Sequence, residues 1–139
     1  MISLEIVRFE AEDEIRVQQI RTAVFVEEQG VPLELDFDGL DNAALHAVAS
    51  LDGTPVATGR MLDDGHIGRI AVLKNYRDQG FGSKIVSCLI EEAMNRGFSR
   101  VYLGAQKQAL GFYSKLGFAP YGEEYMDAGI EHIWMAKSI

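Results

Sequence analysis

The sequence predicts a mixed α/β domain, a twisted and mostly antiparallel sheet with one parallel strand pair and flanking helices. The apolar runs LHAVAS, PVATGRML and HIGRIAVL are separated by Asp52-Gly53 and Asp64-Gly65. Such pairs favour two-residue hairpin turns, so the three runs read as an antiparallel meander. The stretch GSKIVSCLIEEAMNRGF then places Ile85, Val86, Leu89, Ile90, Ala93 and Met94 at helical spacing. It lies between the apolar runs at 67–73 and 100–105, and a strand, helix, strand unit within one sheet is parallel with a right-handed crossover.

In chain order, residues 3–9 read as a first strand. The run EDEIRVQQIRTAVFVEEQG begins with Glu12, Asp13 and Glu14, acids suited to the positive end of a helix dipole, and Ile15, Ile20, Ala23 and Val24 mark one face. Gly30 and Pro32 end that helix. The segment VPLELDFDGLDNAA is polar, acidic and irregular, a loop or broken short helix suited to the rim of a site. After the meander, Arg96-Gly97 stops the amphipathic helix. SRVYLGA reads as a buried strand. KQALGFYSKL reads as a short helix bearing Ala109, Phe112, Tyr113 and Leu116, ended by Gly117. Two strands close the chain, around 118–121 and 131–136. In an open sheet of this kind a ligand is expected at the carboxyl ends of the strands, where their order changes.

At 139 residues, with 47% hydrophobic and 24% charged residues, the chain is expected to form a single domain over 1–139, without repeats. The N-terminal stretch carries acids and resembles no leader, and no uncharged apolar run reaches the ~18 residues of a membrane span. A cytoplasmic protein is expected. The only cysteine, Cys88, has no internal partner and reads as a packed thiol. His46, His66 and His132 show no ligand spacing, so no metal is expected. A net charge of −8 argues against a nucleic-acid backbone or an anionic membrane as partner, and permits a cationic substrate.

The octet RDQGFGSK at 77–84 carries the functional signal. The first N–H groups of a helix lack intrahelical acceptors, and its dipole favours an anion there. Glycine adds positive φ and removes a Cβ from the approach. Arg77 and Lys84 supply charges at the two ends of the turn, so the octet reads as a phosphate or pyrophosphate cradle, with an ordinary tight turn as the alternative. The spacing fits neither a Walker loop nor a dinucleotide fingerprint, since Ile85 stands where the third glycine would be.

Arg-x-x-Gly-x-Gly within NYRDQGFGSKIVSCLIEEA, after an apolar strand and before an amphipathic helix, resembles the acyl-CoA pyrophosphate loop of the GNAT superfamily of N-acetyltransferases. QKQALGFYSKLGF resembles that superfamily's second signature. RTAVFVEEQGVP and EYMDAGIEHIWMAK resemble its small ElaA and YjcF branch. The resemblance implies that Ile70, Ala71 and Val72 offer backbone groups to the pantetheine arm. It implies that the loop from Asp78 through Gln79, Gly80, Phe81, Gly82, Ser83 and Lys84 meets the pyrophosphate, with Arg77 as cation and Arg69 and Lys74 as candidate helpers. Gln106, where the family pattern often has Asn, and Phe112 would border the arm.

Acyl transfer from a thioester to an amine needs a neutral amine, a polarised carbonyl and a proton for the departing thiolate. Tyr113 fits the last role because a phenol keeps its proton at neutral pH. A backbone N–H near Val72 fits the second. For the base, Glu27, Glu28, Asp36, Asp38 and His132 are candidates, with Glu28 and His132 foremost because they fall in the branch-like segments. The expected activity is direct acetyl transfer from acetyl-CoA to a primary amine, on a small molecule or a peptide lysine, and a homodimer is compatible with it. An acyl-CoA sensor with little catalysis and a purely structural domain are the rivals. Residues 29–42 are expected to shape the acceptor pocket, their acids Glu34, Asp36, Asp38 and Asp41 suiting a cationic amine.

Overall fold

The structure is a computed structural model that describes all residues from Met1 to Ile139. Strand β1 (Ile2–Arg8) leads to helix α1 (Ala11–Arg21), a π-helical extension (Thr22–Glu28) and one turn of helix, α2 (Leu33–Asp36). The meander follows as β2 (Leu45–Leu51), β3 (Thr54–Met61) and β4 (Ile67–Val72), then helix α3 (Phe81–Asn95) and strand β5 (Arg100–Gln106). A short helix α4 (Leu110–Lys115) and the hairpin of β6 (Ala119–Asp127) and β7 (Ile130–Ser138) complete the chain. No helix is long and apolar enough to cross a membrane.

The strands β1-β2-β3-β4 form one antiparallel sheet and β5-β7-β6 a second. Residues 45–50 of β2 are buried on both faces. Leu45, Ala47 and Ala49 join the main core with Ile85, Val86, Leu89 and Ala93 of α3, while α1 packs on β3 and β4. The close approach of α3 depends on Gly59. A Cβ there would lie 2.6 Å from both Ile70 Cδ1 and Ile85 Cγ2. Helix α3 ends as the sequence indicates, with Gly97 left-handed at φ +82° and the Phe98 N–H bonded back to the Ala93 carbonyl.

Three differences from the sequence reading matter for the site. The parallel pairing of β4 with β5 is reduced to one bridge, His66 with Tyr102, and the strands then part. A bulge contributes to the divergence: between Thr58↔Ala71 and Arg60↔Gly68, β4 holds one residue more than β3, and Arg69 there is left-handed at φ +53°. The first helix does not run unbroken to Gln29 but widens to π geometry from Thr22. The last two strands are longer than expected, because Ala128 and Gly129, both at positive φ, make a tight hairpin.

Candidate active site

The gap between the sheets is a cavity of about 410 Å³, bordered by β4 on one side and β5 on the other. The Leu73 N–H donates to the Val56 carbonyl, which aligns Leu73 and Ala71 with β3. By strand alternation the backbone groups of Ile70 and Val72 face the gap. Ala71 is thereby corrected: its backbone faces Thr58 and its side chain is buried with Ile20 and Val24, so it offers nothing to a ligand arm.

At the mouth of α3 the chain makes the turn the octet suggested. Asp78 (φ +62°) and Gly80 (φ +85°) are left-handed, and the first helical bond runs from the Lys84 N–H to the Gly80 carbonyl. The N–H groups of Phe81, Gly82 and Ser83 lie ahead of it without helical acceptors. The two glycines have different reasons. Nothing lies within 4 Å of a Cβ built on Gly80, so its φ alone requires glycine, whereas one on Gly82 would stand 3.2 Å from Phe112 Cζ. Phe112, half exposed, meets Tyr113 edge-to-face at 5.0 Å. The Phe81 side chain is not a ligand group. It is core, 2% exposed and edge-on to Tyr76.

Arg77 differs from expectation. Its Nε donates to the Val72 carbonyl at 3.0 Å, and its two terminal nitrogens hold both oxygens of Glu28 at 2.5 and 2.6 Å. The bidentate bond to Arg77 depresses the Glu28 pKa. Glu28 is not among the cavity walls. Lys84 and Ser83 lie in a separate shallow groove with Cys88, between β1 and α3; burial raises the Cys88 pKa. Gln79 makes only a long contact, 3.5 Å, to the Asn75 carbonyl. Gln106 does face the cavity, where its amide donates to Gln29 Oε1 at 3.0 Å and accepts from Gln108 at 2.6 Å.

Tyr113 and His132 line the same cavity. Tyr113 is 8% exposed, and burial pushes its phenol up to about 12. His132 Nδ1 lies 2.7 Å from the Ile130 carbonyl oxygen. A carbonyl can only accept, so Nδ1 carries the proton in the neutral ring and Nε2 is left as the basic atom.

The three aspartates of the loop are not free. Asp36 gives one oxygen to Arg21 (3.3 Å) and the other to Arg69 (3.2 Å), Asp38 holds Arg60 (2.9 Å) and Arg69 (3.2 Å), and Asp41 bridges Arg21 (2.6 Å) and Arg60 (3.1 Å). Arg21, Asp36, Asp41 and Arg60 are buried. Burial tends to raise the Asp38 pKa, but Arg60, the Leu40 N–H and Arg69 outweigh it and hold the carboxyl near 2. Three aspartates neutralise three arginines and fasten the loop to α1, β3 and β4. For these three the expectation of attracting a cationic amine is overturned, because their charges are spent on arginines inside the protein, whereas Glu34 is exposed and unpaired.

The sequence reading missed the aromatic wall. Tyr125 of β6 stacks on Trp134 (4.9 Å between centroids) and on His132 (5.5 Å), with His66 tilted against Trp134 at 5.8 Å. Tyr125 reaches across β7 to β5, where a Cβ on Gly104 would be 1.9 Å from its hydroxyl. The one available signal was His132 and Trp134 at a strand's two-residue period.

The splayed sheets and their flanking helices are a fold shared with a solved acyl-CoA N-acyltransferase. Residues 11–139 match the acetyltransferase (GNAT) domain. The chain belongs to the GNAT family of N-acetyltransferases. It is 42% identical to the N-acetyltransferase YjcF of Bacillus subtilis over 122 residues, covering 85% of this chain and 87% of that one. It is 36% identical to ElaA of Escherichia coli over 129 residues, covering 87% and 84%. The crystal structure of Escherichia coli ElaA superposes with a TM-score of 0.88 over 99% of each chain at 32% identity. An acyl-CoA N-acyltransferase from Pseudomonas aeruginosa gives 0.88 over 99% of each at 30%.

Proposed function

We propose that this protein moves an acetyl group from acetyl-CoA to a primary amine by direct attack. The observation that carries the reading is the meeting of Tyr113 and His132 on one cavity, beside the backbone edge of β4 at Ile70 and the Val72 N–H, which β3 leaves unpaired. The free amides at the start of α3 suit the pyrophosphate of the donor. The Val72 N–H faces the gap and suits the thioester oxygen, while Arg77 fixes that strand end through the Val72 carbonyl. The amine nitrogen attacks the thioester carbon, and His132 Nε2 takes the amine proton. The C–S bond breaks, the Tyr113 hydroxyl gives its proton to the leaving sulfur, and solvent then takes the proton from His132 and returns one to the phenolate. Cys88 lies in another groove, so the chemistry needs no acyl-cysteine.

Two measurements test the reading. CoA at about 100 times its dissociation constant should stabilise the fold by about 2.7 kcal/mol, and free thiol should appear from acetyl-CoA only when an amine is added. No stabilisation by CoA rejects the reading. Binding without amine-dependent thiol release leaves a sensor.

A further inference from the structure

We infer that the acceptor is a primary amine carried on an aromatic, uncharged group, and not a polyamine or a lysine-like dication. The inference rests on the acetyltransferase reading and concerns the acceptor half of the same cavity. Its C-terminal wall is a run of mutually stacked rings, with Tyr125 against both Trp134 and His132. Each ring packs against a neighbour, so the wall presents a fixed π surface rather than mobile side chains. Gly104 keeps the floor low enough for the Tyr125 hydroxyl to lie over β5. The facing wall includes Phe25, Val31, Leu35 and Ile70. A flat apolar carrier between two such walls gains burial and offset stacking together.

Charge points the same way. Of the two carboxylates on the cavity, Asp36 has both oxygens held by arginines, which leaves Asp127 at the exposed rim. A polyamine would bring two or more ammonium groups to one rim carboxylate, and each unpaired charge in an apolar site is costly. An amine with a neutral remainder brings only the group that must lose its proton to react, and the apolar surroundings favour that neutral form.

Trp134 is the only tryptophan in the chain, so its emission reports on this wall directly. The CoA-saturated protein should show a saturable change in Trp134 fluorescence with 2-phenylethylamine and none with spermidine. With acetyl-CoA, thiol release should favour 2-phenylethylamine over spermidine and over the methyl ester of lysine by at least tenfold in kcat/KM. Tyr125→Leu should raise the KM for 2-phenylethylamine about tenfold while CoA affinity stays unchanged. Equal or better use of spermidine or the lysine ester overturns the inference and leaves the acetyltransferase reading intact. So does CoA binding with neither a fluorescence change nor turnover on 2-phenylethylamine. Failure of CoA to bind, seen before any amine is added, defeats the underlying reading instead, and the inference with it.

Discussion

Glu28 and Arg77, 49 positions apart, form a two-pronged ion pair at 2.5 and 2.6 Å beside the start of α3. The pair joins the end of the π-helical segment to the turn that precedes the helix. Through Arg77 Nε it also reaches the Val72 carbonyl. Glu28 therefore acts on Arg77, and a carboxylate held this way is a poor base.

Glu28→Gln is accordingly expected to keep kcat within about threefold of the parent, where loss of a true general base would cost on the order of 10²-fold or more. CoA affinity should stay level or rise, since a negative charge next to the pyrophosphate site is removed. Arg77→Ala should weaken CoA, and should weaken it more than dephosphorylated pantetheine. Calorimetric titration of both ligands on both variants checks this, and a large fall in kcat for Glu28→Gln would restore it as the base.

Tyr113→Phe keeps the buried ring and removes only its proton. Turnover should fall about 10²-fold, equivalent to about 2.7 kcal/mol of transition-state stabilisation, with kcat and kcat/KM lowered together and acetyl-CoA affinity little changed. Because burial lifts this phenol to about 12, the parent should lose no activity through its ionisation below about pH 10. Full activity in Tyr113→Phe would assign the proton to water or another donor and leave Tyr113 as core packing.

Gly82→Val tests the cradle and the packing at once. The new branched side chain meets Phe112 Cζ at 3.2 Å, but that ring is half exposed and can swing aside. The variant should fold, with its melting point within a few degrees of the parent, and should lose CoA binding as the displaced ring and the added methyls crowd the amides. A folded variant with parental CoA affinity would count against the cradle.

Acid should destabilise the protein from near neutrality. Burial holds the His46 and His66 pKa values below the usual histidine value, and Arg21 and Arg60 act in the same direction on His46. Below about pH 6.5 the unfolded chain therefore takes up protons that the folded one refuses, so stability falls as pH falls, by up to about 1.4 kcal/mol per pH unit for each histidine, and levels off below the folded pKa. Above about pH 6.5 neither adds a slope. The Asp38 window lies lower, between about 4 and its folded value of about 2, so it does not interfere. Urea midpoints between pH 7.5 and 5.5 should show the slope, and His46→Gln should flatten it. A parent curve with no slope would contradict buried, uncharged histidines.

The local rules of the chain were enough for most of the fold and for the turn that opens α3. Two Asp-Gly turns with the expected spacing, one strongly amphipathic helix and the glycines at its ends encode β2, β3, β4 and α3, because each depends on contacts between near neighbours. The geometry of that turn was legible for the same reason: its free N–H groups and its positive-φ glycine all lie within 77–84. The partners of its charges were not. Whether Arg77 faces a ligand or Glu28, and whether Asp36, Asp38 and Asp41 face an amine or three arginines drawn from α1, β3 and β4, depends on contacts between groups 15 to 49 positions apart. No periodicity encodes such contacts. The acceptor wall belongs to the same class, since Tyr125, Trp134 and His66 meet only after β6 and β7 fold back beside the point where β4 and β5 separate. The sequence thus determined the elements and the glycine turn before α3, whose physics is local. The tertiary structure decided which charges remain free and which rings form a wall, because burial and pairing are properties of the assembled sheets.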